Sequence, residues 1–295
     1  MLSALAEAWQ VAGPILPLAI LVKALATAAT LLAAGSVLCL AALRPLTPPD
    51  IADLRRTALV AAAVAAVASL SRLPIRAAFL MGGTLDGATD PAILGMVADS
   101  PLGASIRLRL AGLALIATVA VGARRGLPVA LIGAVLAALS FAVRGHALSD
   151  PRLLLGGLVA LHVLCLAYWV GGFRPLSRAA RDGPPERAGR LAAAFGRLAL
   201  IAVGLLVVTG ATLALVLTGG RVWVITPWLA MLLSKLAIFA AILGLAAWNR
   251  IALTPALTAG APAAARRLRL SIRLEGLLIL AVLAVTATLT TTASP

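Results

Sequence analysis

The sequence predicts an all-α fold, a polytopic bundle of transmembrane helices, and three observations support it. Hydrophobic side chains make up 62% of the 295 residues and charged ones only 12%, whereas a soluble domain carries about 45–50% and about 25%. The mean hydropathy is +1.08. The apolar residues form long Ala- and Leu-rich runs, without the two-residue alternation of a membrane β-barrel. A soluble globular domain is therefore excluded, and so is a disordered chain, which needs low hydrophobicity.

Eight segments are long enough to cross a bilayer as helices, since about 20 mostly apolar residues suffice. The second segment is the weakest, because Arg72, Pro74 and Arg76 interrupt it. The first is too long for the apolar region of a signal peptide and contains Lys23, so we do not expect a cleaved signal. All eight belong to one integral membrane domain that covers residues 1–295. The segments span about residues 15–43, 57–80, 103–122, 127–144, 153–176, 194–217, 227–249 and 268–291.

The formal net charge of +15 is concentrated in alternate links between the segments. Because no basic stripe with interleaved aromatic residues is present, we expect no binding to nucleic acid. Basic links face the cytoplasm in membrane proteins, so both termini are expected outside. The Ala-, Leu- and Arg-rich composition fits a high-GC bacterial genome. The longest outer link, about residues 81–102, is expected to hold a short re-entrant or interfacial helix around Ile93–Ala98. The arginines of the odd-numbered links include Arg44, Arg55, Arg56, Arg124, Arg125, Arg174, Arg178, Arg181, Arg187, Arg190, Arg250, Arg266, Arg267 and Arg269.

His162 lies about ten residues into the fifth segment, which places it roughly 15 Å deep, near the midplane. Polar residues at this depth form hydrogen bonds between helices or mark a path for ions or protons, and both interpretations stay open. Cys165 follows three residues later and shares a helix face with His162. Imidazole and thiolate together suit Cu(I).

Other donors and charges extend this pattern. Met81 and Met96 flank the outer link, Met231 lies near the outer end of the seventh segment, and His146 lies at the outer end of the fourth. These four residues form a candidate entry zone for copper, although methionine is also a common apolar filler. The other cysteine, Cys39, is expected to be inert, and no disulfide framework is indicated.

Two further ionisable side chains lie within the predicted spans. Lys235 occupies the outer half of the seventh segment, where it would repel cations or pair with an interior carboxylate. Glu275 occupies the inner half of the eighth, where an ion pair with Arg250 would close the bundle from the cytoplasmic side. Gly171–Gly172 predicts close packing against a neighbouring helix. No phosphate loop, HExxH or CxxC motif is present, so we expect no enzymatic activity.

The fifth segment, LHVLCLAYWVGGFRPL, resembles the signature helix of the copper-resistance protein D (CopD) family, with its His, aromatic pair, Gly-Gly and basic-Pro exit. GHA at 145–147, LAAWNRIALTP at 245–255 and LRLSIRLEGLLILAVLAVTATLTTTASP at 268–295 resemble the same family. The resemblance covers about residues 145–295 well. In the N-terminal half it is carried by the layout and by SPLGASIRLRL at 100–110.

The resemblance implies an inner-membrane protein of copper homeostasis that carries copper from the periplasm to the cytoplasm, with Cu(I) favoured as the transported ion. A periplasmic copper-binding protein of the CopC type is implied as a separate partner. The family's histidine positions fall on His146 and His162. Its polar helix positions fall on Trp169, Lys235, Asn249 and Glu275.

Copper is expected to enter near His146, Met81 and Met96 and to pass to His162, with Cys165 or Met231 as further ligands. Since no ATPase motif is present, transport would be passive or driven by a gradient. Two alternatives stay open. One is a b-type haem electron carrier, although His146 and His162 would differ in depth by roughly 12 Å. The other is a scaffold for cuproenzyme assembly without transport.

Overall fold

The computed structural model describes Gly13 and residues 15–122, 125–143, 152–217 and 227–292, and this part of the chain is helical without a strand. The helices are α1 Ile15–Ala42, α2 Pro48–Leu80, α3 Leu85–Thr89, α4 Pro91–Asp99, α5 Pro101–Ile116, α6 Gly126–Leu139, α7 Arg152–Asp182, α8 Pro185–Leu217, α9 Pro227–Trp248, α10 Thr254–Thr258 and α11 Pro262–Thr292. A 3₁₀ turn, Ala117–Val121, extends α5, and a π-helix, Asn249–Leu253, joins α9 to α10.

Seven helices in the described part are long and apolar enough to cross a membrane, which confirms the all-α membrane bundle. The predicted fourth span corresponds to α6, which has only 14 residues. At 1.5 Å per residue α6 is about 21 Å long, less than the roughly 30 Å of a bilayer core. Within the described residues seven of the eight predicted spans are thus long enough to cross the membrane, and α6 is not confirmed as the eighth.

Several helices continue beyond the apolar runs that predicted them. α2 begins at Pro48 because Thr47 and Asp50 form a capping box, in which the Asp50 carboxylate accepts the Thr47 backbone N–H at 2.9 Å. A capping box satisfies backbone N–H groups that a helix start leaves free. α2 also continues through Pro74 to Leu80, and the predicted outer helix is present as α4, capped by Asp90. Helix ends are thus set by caps and not by the edge of the apolar stretch.

α1 and α7 pack backbone against backbone at two glycines. A methyl group added at Gly35 would overlap the carbonyl oxygen of Ala167, and one added at Gly171 would overlap the Gly35 carbonyl group. A methyl group at Gly172 would overlap the ring of Phe195 on α8. The Gly-Gly pair therefore permits two close contacts, as the sequence predicts.

This contact fixes the rotation of α7. At about 100° per residue, Gly171 lies about 180° around the helix from His162, whereas Trp169 lies within about 20° of it. With α1 against the glycine face, His162 and Trp169 point to the other side of α7. Their hydrogen-bond partners, Thr209 and Glu275, lie there on α8 and α11.

Ion pairs join α2, α7 and α8 at the end of the bundle where the basic links lie, called the basic end below. Arg174 of α7 donates two hydrogen bonds of 2.8 Å to the Asp53 carboxylate. Asp50, only 1% exposed, pairs with Arg187 of α8, and Arg178 approaches both carboxylates at 3.7 Å. A buried carboxylate needs such partners, because an isolated buried charge is costly.

Replacing Gly171 by alanine should separate α1 from α7 and destabilise the protein by about 1–3 kcal/mol, the usual cost of overpacking. Gly157→Ala is a matched control in the same helix, since nothing lies within 4 Å of its added methyl group. The control should be neutral or more stable by up to about 1 kcal/mol, because alanine favours helix. Thermal unfolding in detergent measures both, and equal effects would contradict the proposed contact.

Candidate functional site

Two clusters of buried and half-buried polar residues lie on the His162 side of α7. The histidine cluster comprises His162 of α7, Thr209 of α8 and Lys235 of α9. The glutamate cluster comprises Trp169 of α7, Asn249 of the π-helix and Glu275 of α11. The structure thus divides the predicted intramembrane residues between two levels of the bundle.

In the histidine cluster, His162 Nδ1 lies 3.0 Å from the Thr209 hydroxyl oxygen. The Thr209 hydroxyl donates its single proton to the Leu205 carbonyl at 2.6 Å. The hydroxyl oxygen must therefore accept a hydrogen bond from Nδ1–H, which leaves the lone pair of Nε2 available for a metal ion. The ring lies against α8 at Gly210, where an added methyl group would be in ordinary van der Waals contact, 3.5 Å from the ring Cε1 atom.

Lys235 places a positive charge within electrostatic range of the His162 ring. In the described part of the chain the ion pairs lie at the basic end, and Lys235 forms none of them. Of its two predicted roles, pairing with an interior carboxylate is thus not observed among these residues. Its charge raises the free energy of a cation bound at His162.

The glutamate cluster holds a carboxyl group that is only 3% exposed. The Trp169 indole N–H donates to Glu275 Oε2 at 3.0 Å, and the Asn249 amide donates to Oε1 at 2.6 Å. The predicted ion pair between Glu275 and Arg250 is wrong. Arg250 donates instead to the Gly196 carbonyl at 3.0 Å, because it projects toward α8 while its neighbour Asn249 faces α11.

The π-helix positions Asn249. Pro255 has no N–H to donate, so the regular hydrogen-bond series cannot continue past it. The backbone N–H and the hydroxyl of Thr254 both donate to the Asn249 carbonyl, the hydroxyl at 2.8 Å. Single π-turns of this kind are frequent at functional sites. Here the π-turn begins at Asn249, the residue that donates a hydrogen bond to Glu275.

A layer of apolar side chains lies between the two clusters. His162 and Trp169 are seven residues apart on α7, a rise of about 10 Å. Ile242 lies midway between Lys235 and Asn249 on α9. The layer consists of Leu206, Ile242 and Ile279, all at most 6% exposed and all in the main hydrophobic core. By helix register, apolar side chains thus separate the levels of the two clusters.

The predicted metal ligands have different surroundings. Cys165 is buried in the main core on the same α7 face as His162, and Met81 and Met96 are exposed, at the end of α2 and on α4. His146 and the side chain of Met231 lie outside the described residues. Within the described part no three His, Cys, Asp or Glu side chains converge on one metal position. The complete ligand set therefore stays a prediction.

Sequence reasoning missed Thr209, which orients the His162 ring, and the Asp50 and Asp53 carboxylates. Cys39, expected to be inert, is buried and donates to the Tyr168 carbonyl at 3.7 Å. A threonine in an apolar run is a weak signal, because its hydroxyl can bond its own helix. Asp50 and Asp53 give a stronger signal, because they are acidic residues in a link that is otherwise rich in arginine.

Comparison with known protein families gives two matches. The sequence profile described as Copper resistance protein D matches residues 189–289, and the profile described as Copper resistance protein D-like, N-terminal domain matches residues 14–154. Together they cover most of the chain. No curated protein and no solved structure matches it.

Substitutions at Glu275 should separate hydrogen bonding from charge. Glu275→Gln should change stability by less than about 1 kcal/mol, because Asn249 can rotate its amide and offer Oδ1, which has no partner among the described residues. Glu275→Leu leaves the Trp169 and Asn249 donors unsatisfied, at about 1–3 kcal/mol each. Thermal unfolding in detergent measures the difference, and equal stability of the two variants would refute the proposed hydrogen bonds.

Proposed function

The chain belongs to the copper resistance protein D family, and from this membership we propose that it carries copper across the bacterial inner membrane, from the periplasm to the cytoplasm. The family and the seven long apolar helices make it a multi-pass membrane protein of copper resistance and homeostasis. What supports the proposal is the hydrogen bond between His162 Nδ1 and Thr209, which would leave Nε2 for a metal ion, within a bundle of apolar helices.

The chemistry of the histidine cluster suits Cu(I). A neutral imidazole with a free Nε2 lone pair is a good copper ligand, and the thiol of Cys165 on the same helix face is a second soft donor. Thr209 supports this role because it holds the ring in one tautomer, as partners beyond the ligands do in metal sites. We expect delivery from a separate periplasmic carrier of the CopC type, through Met81, Met96 and His146.

The charged side chains of Lys235 and Glu275 favour passage of copper through the protein over its storage there. Lys235 weakens binding of a cation at His162, and an ion in transit needs sites weak enough to release it. Glu275, as a carboxylate on the inner side of the apolar layer, attracts the same cation. The pair therefore lowers the energy of copper in the inner half relative to the outer half.

Movement between the clusters requires the apolar layer to open. Leu206, Ile242 and Ile279 are side chains of three different helices, so a small displacement of α8, α9 or α11 would be sufficient to admit a dehydrated ion. The π-helix at Asn249 is a point where α9 can bend. Driving energy would come from the copper gradient or the membrane potential, in agreement with the absence of an ATPase motif in the sequence.

Removing the His162 ligand tests transport directly. His162→Ala should abolish copper accumulation in cells at an unchanged amount of protein in the membrane, because Nε2 is lost. Gly157→Ala, in the same helix and without a contact within 4 Å, should accumulate copper normally. Unaltered uptake by His162→Ala would refute the proposed role, and a Soret band in the purified protein would favour the haem carrier.

A double-mutant cycle tests the charge at Lys235. After loading with Cu(I), purified Lys235→Met should retain more copper per chain than the native protein, because a repelling charge is gone. The same change in a His162→Ala background should have no effect. Equal retention with and without Lys235, in the presence of His162, would mean that the lysine does not influence the ion.

A further inference from the structure

A pocket of about 180 Å³ opens at the basic end, in the N-terminal half of the bundle. It lies between the end of α1, the start of α2 and the link from α5 to α6. The two clusters of the candidate copper path, in contrast, lie on α7 to α11 and the π-helix. Its lining combines arginines with apolar side chains, namely Arg44 and Arg55 with Leu40, Ile51, Val119 and Leu127.

Two positive charges line this pocket without an anionic partner in the described part of the chain. Arg44 is held in place through Nη1, which donates to the Leu43 carbonyl at 2.8 Å. Arg55 is half-buried and forms no ion pair there. The nearest carboxylates on its own helix, Asp50 and Asp53, are bound to Arg187 and Arg174. The pocket therefore keeps an uncompensated charge that favours an anion.

The apolar part of the lining identifies the kind of anion. Guanidinium groups bind phosphate oxygens through paired N–H donors, but a free phosphate gains nothing from Leu40, Ile51 or Leu127. A phospholipid offers both a phosphate and an acyl chain. The volume is below the roughly 300–1,000 Å³ of pockets that enclose a drug-sized ligand, so it accommodates a phosphate with its glycerol and not a whole organic ligand.

The location agrees with this chemistry. Val121, beside the pocket, is 74% exposed, and Val60 and Val67 on α2 are also exposed, as expected for side chains that face lipid. Basic pockets at the cytoplasmic ends of membrane helices bind anionic lipid head groups. We propose that the Arg44–Arg55 pocket binds the phosphate of an anionic phospholipid and that the lipid joins the α1–α2 link to the α5–α6 link.

Native mass spectrometry of the full-length protein tests the proposal. The native chain is titrated with phosphatidylglycerol, phosphatidylcholine or inorganic phosphate, and retained ligands are counted. Arg55→Gln should bind phosphatidylglycerol about fivefold more weakly, the effect of one basic residue near a membrane surface. Arg56→Gln is the matched control, since Arg56 is the exposed neighbour and does not line the pocket. The affinity of Arg56→Gln for phosphatidylglycerol should be unchanged.

Leu127→Trp fills the pocket and keeps both arginines, so it should also reduce lipid retention. Three results would overturn the proposal. Equal weakening by Arg55→Gln and Arg56→Gln would indicate nonspecific surface charge. Equal retention of phosphatidylcholine would exclude selection of an anion. Inorganic phosphate that binds as tightly as phosphatidylglycerol would make this a site for the free ion.

Discussion

The contact between α1 and α7 at Gly35 and Gly171 determines where the functional side chains point. Without side chains at these positions the two backbones touch, and α7 cannot rotate without losing the contact. The face of α7 opposite Gly171 then carries His162 and Trp169 toward the C-terminal helices. A tight backbone contact is valuable in a membrane, because lipid supplies no hydrophobic force that would press apolar helices together. Van der Waals contact between the two backbones holds the helices together instead.

The polar residues of the interior follow from the same constraint. Unsatisfied polar groups are costly in lipid, and the principal polar side chains of the two clusters form hydrogen bonds to neighbouring helices. Thr209 is hydrogen-bonded to His162, while Trp169 and Asn249 donate hydrogen bonds to Glu275. The apolar layer of Leu206, Ile242 and Ile279 separates these two levels.

Charged side chains are distributed unevenly along the bundle. At the basic end Asp50 and Asp53 neutralise arginines of α7 and α8 and hold three helices together. Nearer the middle, Lys235 has no such partner among the described residues. The described part of the bundle thus pairs its charges at the basic end and leaves the Lys235 charge near His162 without an ion pair.

The sequence by itself determined the fold class, the approximate spans, the family and most residues of the two clusters. Composition and hydropathy are sufficient for this, because a chain with so little charge has only lipid to face. Helix ends could not be read from hydropathy, since caps such as Thr47 with Asp50 set them. Only the tertiary structure decided which polar residues meet. Glu275 contacts Trp169 and Asn249 and not Arg250, because the rotation of each helix about its axis selects the partner, and packing between distant segments sets that rotation.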